Sequence, residues 1–111
     1  MVGQGHELTT IHGPGTAHVV SVVGVHSAKI SGFTIMGDGK VYGIEAVDSD
    51  GSVIQNNRIT GNSHGIELSG ATRAIVSQNI IEANSSYGIN INRAATIIRN
   101  NLIYANTLLS G

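Results

Sequence analysis

Two acidic residues at equivalent positions of a repeated pattern are the first candidates for chemistry. Glu45 and Glu67 each follow a ring residue, a Gly and an Ile, and they lie 22 residues apart. If the repeats stack, the two carboxylates lie about 5 Å apart, as in the acid/base pair of a retaining glycosidase. Ser21 and Asn90 continue the same column, which contains no Lys or Arg. The missing basic partner favours a solvated face over a catalytic pair.

A second candidate is a weak metal motif. Asp48 and Asp50 stand at alternate positions of Asp48-Ser49-Asp50-Gly51, and hard oxygen ligands in this spacing suit Ca²⁺. The remaining ligands of a calcium loop are missing, and Asp and Gly are ordinary turn residues. A turn is therefore favoured over a calcium site, and no other cofactor is expected. Aromatic or imidazole rings recur at one equivalent position of the repeat, which predicts a column of rings on the surface or at a corner: His18, Tyr42, His64 and Tyr87.

Composition limits the classes of function. The chain has 111 residues, 15 Gly, no Cys and a formal net charge of −1, from 6 basic and 7 acidic residues. The scattered basic residues give no patch for nucleic acid, and no apolar run is long enough for a membrane helix. The absence of Cys excludes disulfides and thiolate chemistry. We expect a single domain over residues 1–111.

The elements that would position these residues come from an internal repeat of about 22 residues. Tyr42-Gly43-Ile44 corresponds to His64-Gly65-Ile66 and Tyr87-Gly88-Ile89. Within each copy apolar residues alternate with polar ones, which is the spacing of a strand. Two or three short strands cannot bury an apolar face alone, but stacked copies can. The pattern predicts an all-β chain built as a parallel β-solenoid of about four to five coils.

Repeated asparagines indicate how the coils are joined. Asn tolerates left-handed backbone at a sharp corner, and stacked Asn amides can bond from coil to coil. The repeated Gly43, Gly65 and Gly88 would supply positive φ or close approach at another corner. We therefore predict structural ladders of asparagines: Asn57, Asn79 and Asn101, and Asn62, Asn84 and Asn106.

The pattern Ile-x-x-Asn-x-Ile, then Asn, then Tyr/His-Gly-Ile resembles the repeat of right-handed parallel β-helix proteins, the pectin-lyase-like superfamily. It covers about residues 16–106. The resemblance implies a right-handed single-stranded β-helix and an extracellular or cell-surface location. Members include polysaccharide lyases, epimerases and non-catalytic adhesins, so the fold alone does not settle the function. Relatives carry caps that are not legible here, so the chain resembles an excised or minimal block.

An apolar cluster is expected on one outer face. If the Ile of each Asn-x-Ile unit points inward, then Ile80, Leu102 and Tyr104 point outward in the last coils. Contiguous exposed apolar residues are typical of a contact surface, and unpaired strand edges favour association. Together with Leu108 and Leu109, these residues predict self-association as a dimer or an end-to-end assembly.

Two functions remain open from the sequence. The first is a non-catalytic structural or interaction module that self-associates, with polysaccharide as an optional partner. The second is a piece of a carbohydrate-active enzyme, a lyase or epimerase of a uronic-acid polymer. Such an enzyme needs a base or an acid cluster on one strand face, and the sequence displays no convergent set. The module is therefore favoured.

Overall fold

The computed structural model describes residues 2, 3, 5, 9–13, 17–70 and 73–110, apart from the side chains of 108–110. All regular elements of these residues are short strands. The described residues contain no helix long and apolar enough to cross a membrane. The strands are β1 (Thr10–His12), β2 (Val20–Val23), β3 (Lys29–Ser31), β4 (Thr34–Met36), β5 (Ile44–Val47), β6 (Val53–Gln55), β7 (Arg58–Thr60), β8 (Ile66–Ser69), β9 (Ala74–Ser77), β10 (Ile80–Glu82), β11 (Tyr87–Asn92), β12 (Thr96–Arg99), β13 (Leu102–Tyr104) and β14 (Leu108–Ser110).

The strands form three parallel sheets that wind into a solenoid. The first sheet has the order β1-β4-β7-β10-β13, the second β2-β5-β8-β11-β14 and the third β3-β6-β9-β12. Each strand pairs with its equivalent one coil away; Glu45, for example, lies opposite Glu67. The chain makes about four coils. The predicted β-solenoid is confirmed, and a given repeat position forms a column along its outer surface.

Period-two alternation places the core inside the solenoid. Ile44 and Ala46 of β5 are buried, as are Ile66 and Leu68 of β8, while the residues between them face outward. Burial of apolar surface is the main favourable term in folding. Because one coil alone leaves its core face open, each coil depends on its neighbours.

Asparagine amides join the coils at two corners. Asn79 is buried, and its Nδ2 donates to Ile54 O and to Asn101 Oδ1, each at 3.0 Å. Its Oδ1 accepts from the N–H of Asn57 at 3.0 Å. The ladder starts at Phe33, which replaces the repeated Asn and donates its N–H to Asn57 Oδ1. A parallel ladder links the side chains of Asn62, Asn84 and Asn106.

The left-handed backbone at these corners lies one residue before each ladder asparagine. Asn56, Gln78 and Asn100 have φ of 57°, 56° and 56°. The ladder residues themselves are absent from the positive-φ positions. The side-chain amide, and not backbone tolerance, is therefore what the corner requires of Asn57, Asn79 and Asn101.

The repeated glycines allow neighbouring coils to approach closely. A Cβ on Gly65 would lie 2.5 Å from Gly88 O, and one on Gly43 would lie 2.7 Å from Gly65 O. Neither Gly43 nor Gly65 has positive φ. Of the two reasons expected for these glycines, close approach applies and positive φ does not.

Candidate ligand-binding face

Four aromatic rings form a column, here called the ring column, beside the second sheet: His18, Tyr42, His64 and Tyr87. The rings of His18 and Tyr42 are stacked, with centroids 4.2 Å apart, and those of Tyr42 and His64 are stacked at 4.7 Å. Tyr87 meets His64 edge to face at 5.2 Å. Stacked rings cover one another's faces, so the column presents ring edges with their nitrogen and hydroxyl groups.

Close backbone pairing holds the ring column together. The N–H of Val19 donates to Tyr42 O, that of Gly43 to His64 O and that of Gly65 to Tyr87 O, at 2.9–3.0 Å. The absent Cβ of the glycines lets these coils pack without interference. Each ring therefore stands on a fixed backbone position one coil from the next.

A polar column runs alongside on the outward face of β2, β5, β8 and β11. It is called here the carboxylate column: Ser21, Glu45, Glu67 and Asn90. The Ser21 hydroxyl donates to Glu45 Oε1 at 2.8 Å, and the Asn90 amide donates to both oxygens of Glu67. The side chain of Glu67 is only 13% exposed. We expected these carboxylates to be solvated. The carboxylate of Glu67 is instead largely shielded from solvent and belongs to a hydrogen-bonded network.

The two columns are joined by histidine–glutamate pairs. His64 Nδ1 lies 2.8 Å from Glu67 Oε2. Since an ionised carboxylate only accepts, Nδ1 of His64 is the donor, and Nε2 of the neutral ring is left as an acceptor. The imidazole is thereby oriented by Glu67, which is oriented in turn by Asn90. A general base is commonly positioned in this way, by a neighbouring side chain that is itself held by a further hydrogen bond.

His18 has the opposite arrangement. Its Nδ1 accepts the backbone N–H of Tyr42 at 3.0 Å, so the neutral ring carries its proton on Nε2. That nitrogen lies 3.5 Å from Glu45 Oε2. His18 therefore presents a donor toward Glu45, whereas His64 retains an acceptor.

Tyr42 contributes a protonated phenol to this face. Burial raises the pKa of its phenol, and the negative charges of Glu67 and Glu45 raise it further. Tyr42 therefore keeps its proton at neutral pH. The outward residues of the four strands include two carboxylates and neither Lys nor Arg: Ser21, Val23, Glu45, Val47, Glu67, Ser69, Asn90 and Asn92.

The calcium candidates lie on a different part of the surface, at the turn after β5. Asp50 accepts hydrogen bonds from the Arg73 guanidinium on both of its carboxylate oxygens. Asp48 is exposed in a left-handed conformation, with φ of 49°. No cluster of three His, Cys, Asp or Glu suited to a metal ion occurs in the described part of the chain.

The predicted apolar contact surface lies on the first sheet. Ile80 pairs with Leu102, and Tyr104 follows Leu102 by two residues on the same outer face. Leu102 is 57% exposed and Tyr104 is also exposed, whereas Ile80 is partly buried. The side chains of Leu108 and Leu109 lie outside the described residues. A polar pair, Arg58 and Glu82, adjoins this surface.

The repeat spacing predicts the ring column and the carboxylate column, but not the contacts between them. The spacing His64-x-x-Glu67 is the sequence feature that indicates their contact. The two residues lie on either side of the Gly65 corner, so their side chains are close where β8 begins. The pairing of His18 with Glu45 had no such local signal, because it spans one full coil.

Comparison with known proteins agrees with this architecture. A family model described as a right-handed beta helix region matches residues 8–109. No curated protein and no solved structure gives a significant match to the chain. The matched range contains both columns.

Proposed function

We propose that this chain, which belongs to the right-handed β-helix family, is a non-catalytic module that binds an extended neutral polysaccharide. The ligand would lie along the ring column and the carboxylate column, across several coils. The observation that carries the proposal is the unbroken run of ring edges beside paired carboxylates. Fixed polar groups repeated along one axis suit a ligand that is itself a repeating polymer.

The chemistry of the face favours sugar hydroxyls. A hydroxyl both donates and accepts, and this face offers both kinds of partner. Tyr42 supplies a donor, Glu67 supplies acceptor oxygens, and His64 Nε2 supplies an acceptor at the ring edge. The fixed positions of these groups lower the entropic cost of ordering them around a ligand.

The charge of the face favours a neutral polymer over a uronic-acid polymer. Glu45 and Glu67 carry two negative charges on neighbouring coils, and the outward strand positions supply no Lys or Arg to offset them. Like charges placed together cost free energy and select against the wrong partner. Pectate and alginate should therefore bind more weakly than dextran, xylan or glucomannan.

Affinity electrophoresis in gels containing each of these five polymers tests the proposal. We expect retardation by at least one neutral polymer and less by pectate or alginate. Tyr42→Phe keeps the stacked ring but removes its hydroxyl, and Glu67→Gln removes the acceptor charge; both should reduce retardation. Arg99→Gln, an exposed site on the third sheet, is the matched control. Retardation by none of the neutral polymers, or equal retardation of all variants, contradicts the proposal.

A second candidate is proton-transfer chemistry on a uronic-acid polymer, as in a lyase or epimerase. The observation that favours it is the His64–Glu67 pair, whose geometry leaves His64 Nε2 as an oriented base. Against it stands the absence of Lys and Arg from the outward positions of β2, β5, β8 and β11, where such a side chain could stabilise the charge that develops on the substrate. Binding without catalysis therefore remains the preferred function.

Incubation with pectate, alginate and polygalacturonate separates the two candidates. A lyase produces an unsaturated sugar that absorbs in the ultraviolet, and an epimerase changes the proton NMR spectrum of the polymer. Either product, formed by the unmodified chain and lost in His64→Gln, would replace the binding proposal. A product that persists in His64→Gln would point to a contaminating activity.

Self-association is proposed as a second property of the module. Ile97, Ile98 and Leu102 are exposed on the last coil, and the edges of β12 and β13 have no further strand beside them among the described residues. Unpaired parallel edges can pair with the first coil of another copy. A head-to-tail contact of this kind continues the solenoid and does not close into a symmetric dimer.

A further inference from the structure

A polar groove lies on the outer face of the first sheet, away from the face described above. Its volume is about 570 Å³, and its lining consists of five polar side chains and two apolar ones: Thr10, Thr34, Arg58, Glu82 and Tyr104, with Met36 and Ile80. The groove is shallow and open to solvent, so a ligand would lie against its floor. All seven residues lie on strands of the first sheet, which forms the floor of the groove.

A charge-neutral pair stands at the centre of this groove. The Nε of Arg58 donates to Glu82 Oε1 at 2.7 Å, and its Nη2 donates to the same oxygen. The Tyr104 hydroxyl also donates to the Glu82 carboxylate. The side chain of Glu82 is 11% exposed and that of Arg58 is 47% exposed. A fixed carboxylate therefore lies beside a guanidinium that remains accessible.

The pair keeps hydrogen-bonding capacity for a ligand. A guanidinium has five N–H donors, and the two contacts to Glu82 engage its Nε and Nη2. A carboxylate has about four lone-pair sites, and both contacts from Arg58 fall on Oε1, so Oε2 keeps capacity to accept. The Glu82 carboxylate, an acceptor, and the Arg58 guanidinium, a donor, are therefore adjacent, and their opposite charges cancel.

We propose that this groove binds a small neutral polyol, such as a single sugar unit, through two adjacent hydroxyls. One hydroxyl donates to Glu82 and its neighbour accepts from Arg58. A charged ligand is disfavoured, because an anion meets Glu82 and a cation meets Arg58. Ile80, which pairs with Arg58 in the sheet, supplies apolar surface for the C–H groups of the sugar. This site is independent of the proposed polysaccharide face.

Backbone amide shifts in ¹H–¹⁵N NMR spectra, titrated with methyl glycosides of glucose, galactose and mannose, test the proposal. We expect saturable shifts in β4, β7 and β10 with at least one neutral glycoside, and weaker shifts with glucuronate and glucosamine. These amides lie on a different sheet from β5 and β8, so failure here is distinguishable from failure of the polysaccharide proposal.

Variants assign the binding to the pair. Arg58→Gln should weaken the affinity at least tenfold, and Tyr104→Phe, which retains the ring, should weaken it severalfold. Arg99→Gln removes the same charge from an exposed strand position on the third sheet and should leave the affinity unchanged. No groove shifts with any neutral glycoside, stronger binding of a charged sugar, or equal affinity of Arg58→Gln and Arg99→Gln overturns the proposal.

Discussion

Replacing the central ladder asparagine tests how the coils are held together. In Asn79→Ala four side-chain hydrogen bonds are lost, to Ile54 O, to Asn101 Oδ1 and to the N–H and Nδ2 groups of Asn57. At about 0.5–1.5 kcal/mol for each bond, the expected loss of stability is about 2–6 kcal/mol. Because Asn57 and Asn79 are buried, water cannot take over the orphaned groups without opening the corner.

Urea unfolding at 25 °C measures this loss as a shift in the midpoint with an unchanged slope. Asn101→Ala is the graded control, since its side chain makes three such bonds in a partly exposed coil where water can replace them. It should cost about 1–2 kcal/mol. A loss below about 0.5 kcal/mol for Asn79→Ala, or an equal loss for both variants, would refute the ladder as a buried network.

Three further predictions concern close packing, acid stability and assembly. Gly65→Ala should cost about 3 kcal/mol in urea unfolding because its Cβ meets backbone, whereas Gly24→Ala, with an open Cβ position and φ of 65°, should cost about 1 kcal/mol; similar values would contradict the close approach. Hydrogen bonds from Tyr104 and Arg58 lower the pKa of Glu82, so its stabilisation is present above about pH 4.3 and is lost as the pH falls through the lower folded value. Glu82→Gln should flatten this acid limb, and identical profiles would count against the pair. Leu108→Lys with Leu109→Lys should shift the mass measured by light scattering toward monomer; a monomer mass for the unmodified chain at every concentration would rule out self-association.

The solenoid was predictable because its determinants are local and repeated. Apolar residues two apart, such as Ile44 and Ala46, give a strand in any context that buries one face. The fixed repeat then places Glu45 opposite Glu67 without further information. For Gly43 and Gly65 the sequence leaves positive φ and close approach as alternatives, and only the packing of neighbouring coils selects close approach.

The contacts between columns were less predictable because they depend on side-chain direction. The sequence places His64 and Glu67 near one corner, but their hydrogen bond depends on how the imidazole turns within the stack. The Arg58–Glu82 pair was missed for a similar reason, since the two residues lie one coil apart and diagonally across the sheet. Repeat spacing determines which backbone positions are neighbours, but not which side chains reach across to each other.

Binding of a neutral polysaccharide to the ring column and the carboxylate column is tested most directly by mapping where such a polymer binds. A ¹H–¹⁵N NMR titration with short xylan, dextran or glucomannan fragments supplies that map. We expect amide shifts that follow β5, β8 and the corners before them, including Tyr42, Glu45, His64 and Glu67. We expect smaller shifts with fragments of pectate. Shifts confined to other sheets, or a clear preference for pectate, would contradict it.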